Sequence, residues 1–341
     1  MTRAVVICPG RGTYNKTELG VLSRQHRDKA SMFARFDEIR ARAGQEKLVN
    51  LDAAEHYSIA RHTRGDNASA LIYAASYADF LSLKDLEIIA VTGNSMGWYT
   101  ALACGGALSA ENGFTVVNTM GTLMQEALIG GQLVYPVVDN DWRSDTTKRA
   151  AVEDLIADIN SRPGRELGLS IDLGGMLVLA GNAEGLDDFT KVAAPIDQFP
   201  LRLANHAAFH TALQAPVSTR GRRELSVELF TQPEIPLVDG RGTIWWPGAA
   251  TDTNALWDYT FGHQVTESYD FTRAITVAAR EFAPDLFIIT GPGTTLGGAV
   301  AQSLIQANWR GMGSKTDFQS LQTDTPFLIS MGRDDQRGLV T

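Results

Sequence analysis

The chain has 341 residues, 44% hydrophobic and 20% charged, a composition that fits a folded globular protein and excludes a disordered one. A formal net charge of -9 with no basic stripe argues against nonspecific nucleic-acid binding, and no apolar run is long enough to span a bilayer. Cys8 and Cys104, the two cysteines, sit in apolar surroundings and read as buried thiols of a reducing compartment; with no signal-like leader, a cytoplasmic location is expected.

In chain order, a first strand (residues 3–8) ends in the glycine-rich turn Pro9-Gly10-Arg11-Gly12, which lacks the spacing of a dinucleotide fingerprint. Residues 17–45 read as helical, with the charge run from Arg24 to Arg42 on a solvated face. A helix with capping residues at its start is predicted over 66–83, and the apolar run 86–91 reads as a strand. That strand runs into Gly93-Asn94-Ser95-Met96-Gly97, a G-x-S-x-G sequence followed by a helix-forming stretch. Gly105-Gly106 ends that helix, and Ser109 caps another running to about 129. From 131 to 204 the pattern is β-α-β-β-α-β, a ferredoxin-like order, with a Gly174-Gly175 turn between the middle strands. The chain then carries the segment 205–216 with His206 and His210, a strand at 235–238, a helix bearing His263 and Gln264, and an apolar strand at 286–289. A glycine-rich turn, Gly291-Pro292-Gly293, follows. The charged tail after 332 reads as loose. Strands alternating with helices imply an α/β fold. The large part, 1–130 with 205–341, is expected to hold a mostly parallel sheet, with 131–204 inserted as a small α+β domain.

The G-x-S-x-G sequence organises the chemistry. A strand that turns sharply into a helix needs small residues beside the serine, and it leaves the hydroxyl at a helix N-terminus. There the Met96 amide and the helix dipole can stabilise an oxyanion. Such a serine can also be an ordinary N-cap, but the strand before it and the helix after it favour a nucleophile. His206 and His210 are both candidates for its base.

Taken together, these segments resemble the malonyl-CoA:acyl carrier protein transacylases and the acyltransferase domains of fatty acid and polyketide synthases. Pro9-Gly10-Arg11-Gly12 is similar to the family's PGQG, and Gly93 to Gly97 with Tyr99-Thr100-Ala101-Leu102 is similar to GHSxGEYxAL. Met120-Gly121 with Met124-Gln125-Glu126-Ala127 resembles RGxxMQEA, and Ala208 to Leu213 resembles the segment carrying the catalytic histidine. His263-Gln264-Val265 and Gly291-Pro292-Gly293 resemble two later motifs. The resemblance implies an α/β-hydrolase-like large domain with a ferredoxin-like insert. It implies Ser95 as nucleophile and His210 as base, with His206 and His263 structural or lining. It further implies an oxyanion hole of the Arg11 and Met96 amides, and a histidine oriented by a backbone carbonyl near Gln264. Acyl-CoA and an acyl carrier protein are the implied partners. No cofactor, metal or membrane is implied beyond the CoA and phosphopantetheine thioesters, and a monomer is expected.

Four positions depart from the family. Met120 stands where an arginine pairs with the malonyl carboxylate, and a thioether cannot replace that bidentate contact. The expectation is an uncharged acyl group, since an unpaired buried carboxylate costs several kcal/mol. Arg11, at the family's glutamine, is the residue able to overturn that expectation from the opposite wall. Asn94 and Trp98 replace His and Glu and join Met120 and Gln264 as candidate substrate-binding positions. Arg220-Gly221-Arg222-Arg223 is a candidate basic patch for a carrier protein, or simply a solvated helix. The readings left open are an acyltransferase of altered specificity, a true malonyl loader, an acyl hydrolase that clears carrier proteins, and a weakly active docking subunit.

Overall fold

The computed structural model describes residues 1–341. Its strands in chain order are β1 (Thr2–Cys8), β2 (Leu86–Gly93), β3 (Gly131–Pro136), β4 (Leu167–Leu173), β5 (Met176–Gly181), β6 (Leu201–Arg202), β7 (Leu237–Val238), β8 (Ile244–Trp245), β9 (Tyr269–Asp270), β10 (Leu286–Ile289) and β11 (Leu328–Ser330).

Two sheets result. The larger runs β11-β10-β1-β2-β7-β8, parallel except for the β7–β8 edge pair. Its centre is β1, whose residues Ala4 to Cys8 are buried on both faces. That explains the continuous apolar run in place of an alternating one. The smaller sheet runs β6-β3-β5-β4-β9, antiparallel apart from β4–β9. Helices Thr146–Asn160 and Ala183–Val192 cover one of its faces through Val152, Ile159, Leu186 and Phe189. The expected mixed α/β fold, a large mostly parallel sheet with a smaller antiparallel one, is therefore present.

Local signals explain the helix boundaries. The Ser109 side chain accepts from the Asn112 amide and starts helix Ala110–Ala127, and Asn182 does the same for Gly185. Helix Gly65–Phe80 is rich in Ala and Ser. These small side chains let it lie buried against helix Ala110–Ala127. No helix is long and apolar enough to cross a membrane.

The structure corrects three expectations. The segment 17–45 is broken at His26, which is fully buried 3.1 Å from Asp79, so helix Ala30–Arg42 is separate from Val21–Gln25. Arg40, read as part of a solvated face, is completely buried. Its guanidinium satisfies the Glu46 and Asp66 carbonyls and the Asn67 and Asn118 side chains. The tail is anchored: Arg337 pairs with buried Asp79 at 2.5 Å, and Val340 is buried.

β9 ties the two sheets together. It belongs to the small sheet by register, Ile171 facing Tyr269 and Asp172 facing Asp270. Yet the Tyr269 hydroxyl donates to the Gly93 carbonyl of β2 at 2.5 Å.

Candidate active site

β2 delivers Ser95 at the point where the larger sheet ends and helix Gly97–Cys104 begins. Ser95 has φ +53°, a left-handed conformation that a serine seldom adopts without reason. The turn closes only because its neighbours lack Cβ atoms. A Cβ on Gly93 would lie 2.3 Å from the Gly97 carbonyl group, and one on Gly97 would lie 2.1 Å from the Cys8 carbonyl oxygen. Strand, turn and helix are thus pressed together, and the serine hydroxyl projects beyond them.

His210 reaches Ser95 from a different part of the chain. Its Nε2 lies 2.8 Å from the Ser95 Oγ, and its Nδ1 lies 2.6 Å from the Gln264 carbonyl oxygen. A carbonyl can only accept, so Nδ1 carries the proton and Nε2 is left as the acceptor for the serine O–H. His210 also has positive φ (+59°), and its amide donates to the Val265 carbonyl, fixing the backbone from which the ring projects. Burial is the main cause that lowers its pKa to about 4, so the imidazole is neutral at physiological pH.

Gln264 contributes more than its carbonyl. Its side chain donates to the Ser95 carbonyl at 3.1 Å and accepts from the Tyr99 hydroxyl at 3.0 Å. Tyr269 packs its ring 5.3 Å from the His210 ring. Sequence reasoning did not single out Tyr99 or Tyr269 as parts of the site. Tyr99 lay inside a motif segment and was available; Tyr269 carried no local signal.

Two cavities meet at Ser95. The inner one, about 40 Å³, is lined by Met120, Met124, Val117, Tyr99 and Arg11. The outer one, about 450 Å³, runs between the end of the larger sheet and the open face of the smaller, past Asn94, Val134, Ile171, Val178 and Leu296. The Arg11 and Met96 amides donate to no other group of the protein. Both are available to an incoming oxygen.

The remaining sequence candidates fall as follows. His206 lines the outer cavity and bonds the Gln132 side chain at 2.9 Å. Burial and the Arg11 charge hold it well below the usual histidine range. His263 stacks on Tyr259 instead of facing Ser95. Trp98 is a correction: it is fully buried, with its indole N–H on Thr260 and its ring edge-on to Tyr259, so it belongs to the core behind the helix and lines neither cavity. The arginines at 220–223 are not a free basic patch. Arg220 pairs with Glu126, Arg222 pairs with Asp258 and covers Trp257, and Arg223 faces Glu224.

No protein-family model matches the chain. A malonyl CoA-acyl carrier protein transacylase of Salmonella typhimurium is 24% identical over 214 residues, covering 61% of this chain and 63% of that relative. The match thus spans less than two thirds of the curated relative's length. Among solved structures, the malonyl CoA-acyl carrier protein transacylase of Coxiella burnetii superposes with a TM-score of 0.75 at 17% identity, covering 99% of this chain and 97% of the other. A malonyl-transacylase solved in complex with its type II polyketide synthase acyl carrier protein gives 0.71 at 20% identity, over 89% and 93% of the two chains. At these identities the structural likeness establishes the fold.

Proposed function

We propose that the chain, which is similar to the malonyl-CoA:acyl carrier protein transacylases, moves a short acyl group from a CoA thioester to the thiol of an acyl carrier protein. The observation that carries this reading is the Ser95–His210–Gln264 chain, with the serine Oγ 2.8 Å from an imidazole nitrogen that must be unprotonated.

In the first half-reaction the Ser95 Oγ attacks the thioester carbonyl carbon while His210 Nε2 takes the hydroxyl proton. The oxyanion develops between the Arg11 and Met96 amides at the start of helix Gly97–Cys104. The C–S bond then breaks, and His210 passes the proton to the departing CoA thiolate. In the second half-reaction His210 Nε2 takes the proton of the carrier thiol. The sulfur attacks the acyl-Ser95 carbonyl, the C–O bond breaks, and the proton returns to the serine. No acidic third residue is required, because the Gln264 carbonyl already orients the imidazole.

The cavity sizes support a short acyl group and a long thioester arm. About 40 Å³ holds roughly three water-sized groups, taking 10–15 Å³ for each. The outer cavity has room for the phosphopantetheine arm. Within the inner cavity the Met120 and Met124 thioethers offer no partner to a charged tail, whereas Arg11 offers one.

Intact-protein mass spectrometry tests the reading. Mixing with acyl-CoA should add one acyl group to the wild-type chain and none to Ser95→Ala, and a holo carrier protein should remove it. Loss of the adduct to water at the same rate with and without the carrier would replace the transferase with a hydrolase.

A further inference from the structure

We propose that Arg11 is the receptor for the acyl tail, holding a carboxylate at its far end, so that the preferred donor is a short carboxylated acyl thioester. This rests on the acyl-transfer reading of Ser95 and His210. It reverses the preference that Met120 alone suggests.

Arg11 follows β1 and lines the inner and the outer cavity, both of which also include Ser95. Its Nη2 is anchored, donating to the Thr63 carbonyl at 2.7 Å and the Asn205 carbonyl at 3.0 Å. Those two bonds fix the plane of the guanidinium. The remaining donors are poorly served. Nη1 meets the Met124 thioether at 3.2 Å, a weak acceptor, and Nε is covered from solvent without any partner.

No carboxylate pairs with this guanidinium. Asp66, the acid that acts on it at a distance, is held by Arg64 at 3.1 Å. The result is a partly buried cation with two donor groups unmatched, beside the nucleophile, in a cavity floored by thioethers. Covered charge without a counter-ion is costly, and filling the cleft with a thioester would cover it further. A ligand that brings its own negative charge removes that cost, and an acetyl group does not.

Size points the same way. Past the thioester carbonyl, the inner cavity takes about three water-sized groups, which suits a methylene and a carboxylate and excludes a long chain. The methylene would lie against Met120 and Met124, so a thioether at 120 is compatible with a charged tail. The cation enters from the loop after β1 and not from helix Ala110–Ala127.

The test is equilibrium binding of malonyl-CoA and acetyl-CoA to the Ser95→Ala chain, with Arg11 present and as Arg11→Gln. Charge-assisted hydrogen bonds contribute enough to expect malonyl-CoA to bind at least about tenfold tighter than acetyl-CoA. Arg11→Gln should remove that ratio while leaving acetyl-CoA binding close to its original value, and Arg11→Lys should keep part of it. A merely structural Arg11 would weaken both ligands alike, which overturns the proposal. So does equal binding of the two by the Ser95→Ala chain. Because no turnover is involved, the outcome is independent of whether the acyl group later passes to a carrier or to water.

Discussion

The Nδ1 of His210 donates to the Gln264 carbonyl at 2.6 Å, and that single contact sets the tautomer of the imidazole facing Ser95. The reactive form is therefore the neutral ring, and burial keeps it neutral down to about pH 4. The acylation rate constant of Ser95 should be level from pH 8 to about pH 5 and fall tenfold per pH unit below about 4. The same displacement lowers stability in acid: the unfolded chain takes up this proton below about 6.5, the folded chain only near 4, so stability drops as pH falls through that window. Stopped-flow acylation across pH measures the first effect, and an acid limb centred near 6.5 would contradict the assignment of a buried base.

Gln264→Leu should separate the carbonyl from the side chain. The backbone bond to His210 remains, but the Tyr99 hydroxyl loses its acceptor and the Ser95 carbonyl keeps only the Trp98 amide. Leaving the buried hydroxyl unpaired should cost about 1–3 kcal/mol of stability. We expect kcat to fall roughly tenfold as the serine turn loosens, with the pH midpoint of acylation unmoved. Thermal melting and a pH–rate profile of the variant check both parts.

Gly97→Ala is expected to fail structurally. The added carbon would sit 2.1 Å from the Cys8 carbonyl oxygen, and backbone cannot retreat there without parting β1 from the nucleophile helix. Destabilisation of at least about 3 kcal/mol is the expected outcome, with loss of Ser95 acylation. Urea unfolding of the variant measures it, and a wild-type midpoint would show that the turn is looser than described.

Arg337→Ala tests the anchored tail. Asp79 is nearly inaccessible and accepts from Arg337 at 2.5 Å and from the Gly291 amide at 2.7 Å. Removing the arginine leaves that carboxylate short of a cation, which should cost about 3–5 kcal/mol. A melting temperature unchanged from wild type would mean that the tail is as loose as its composition suggests.

What could be read from the sequence divides by distance along the chain. The Ser95 turn, the Ser109 cap and the strand at 286–289 depend on neighbours a few residues away, so composition and spacing carried them. The Tyr269–Gly93 bond joins residues 176 apart, Gln264 reaches Ser95 across 169, and Arg337 reaches Asp79 across 258. No periodicity encodes such pairings. Arg40 misled for a related reason: it sits in a charged stretch, and its burial is decided by carbonyls and amides brought in by other segments. The pairing of Ser95 with His210 over His206 came from motif resemblance; the chain alone offered two histidines four residues apart. Trp98 was misplaced because a residue three after the nucleophile can face the cleft or the core, and the helix turns it to the core.

The two-residue strand β9 has a mechanical effect larger than its length. Its pairing with β4 and the Tyr269 bond to the strand that bears the serine rivet one lip of the substrate slot to the other. Widening that slot would shear a β-ladder and pull on the strand that leads to Ser95, so the two contacts resist it. If the outer cavity takes a thioester arm as proposed, one arm should replace the next without a swing of the small sheet.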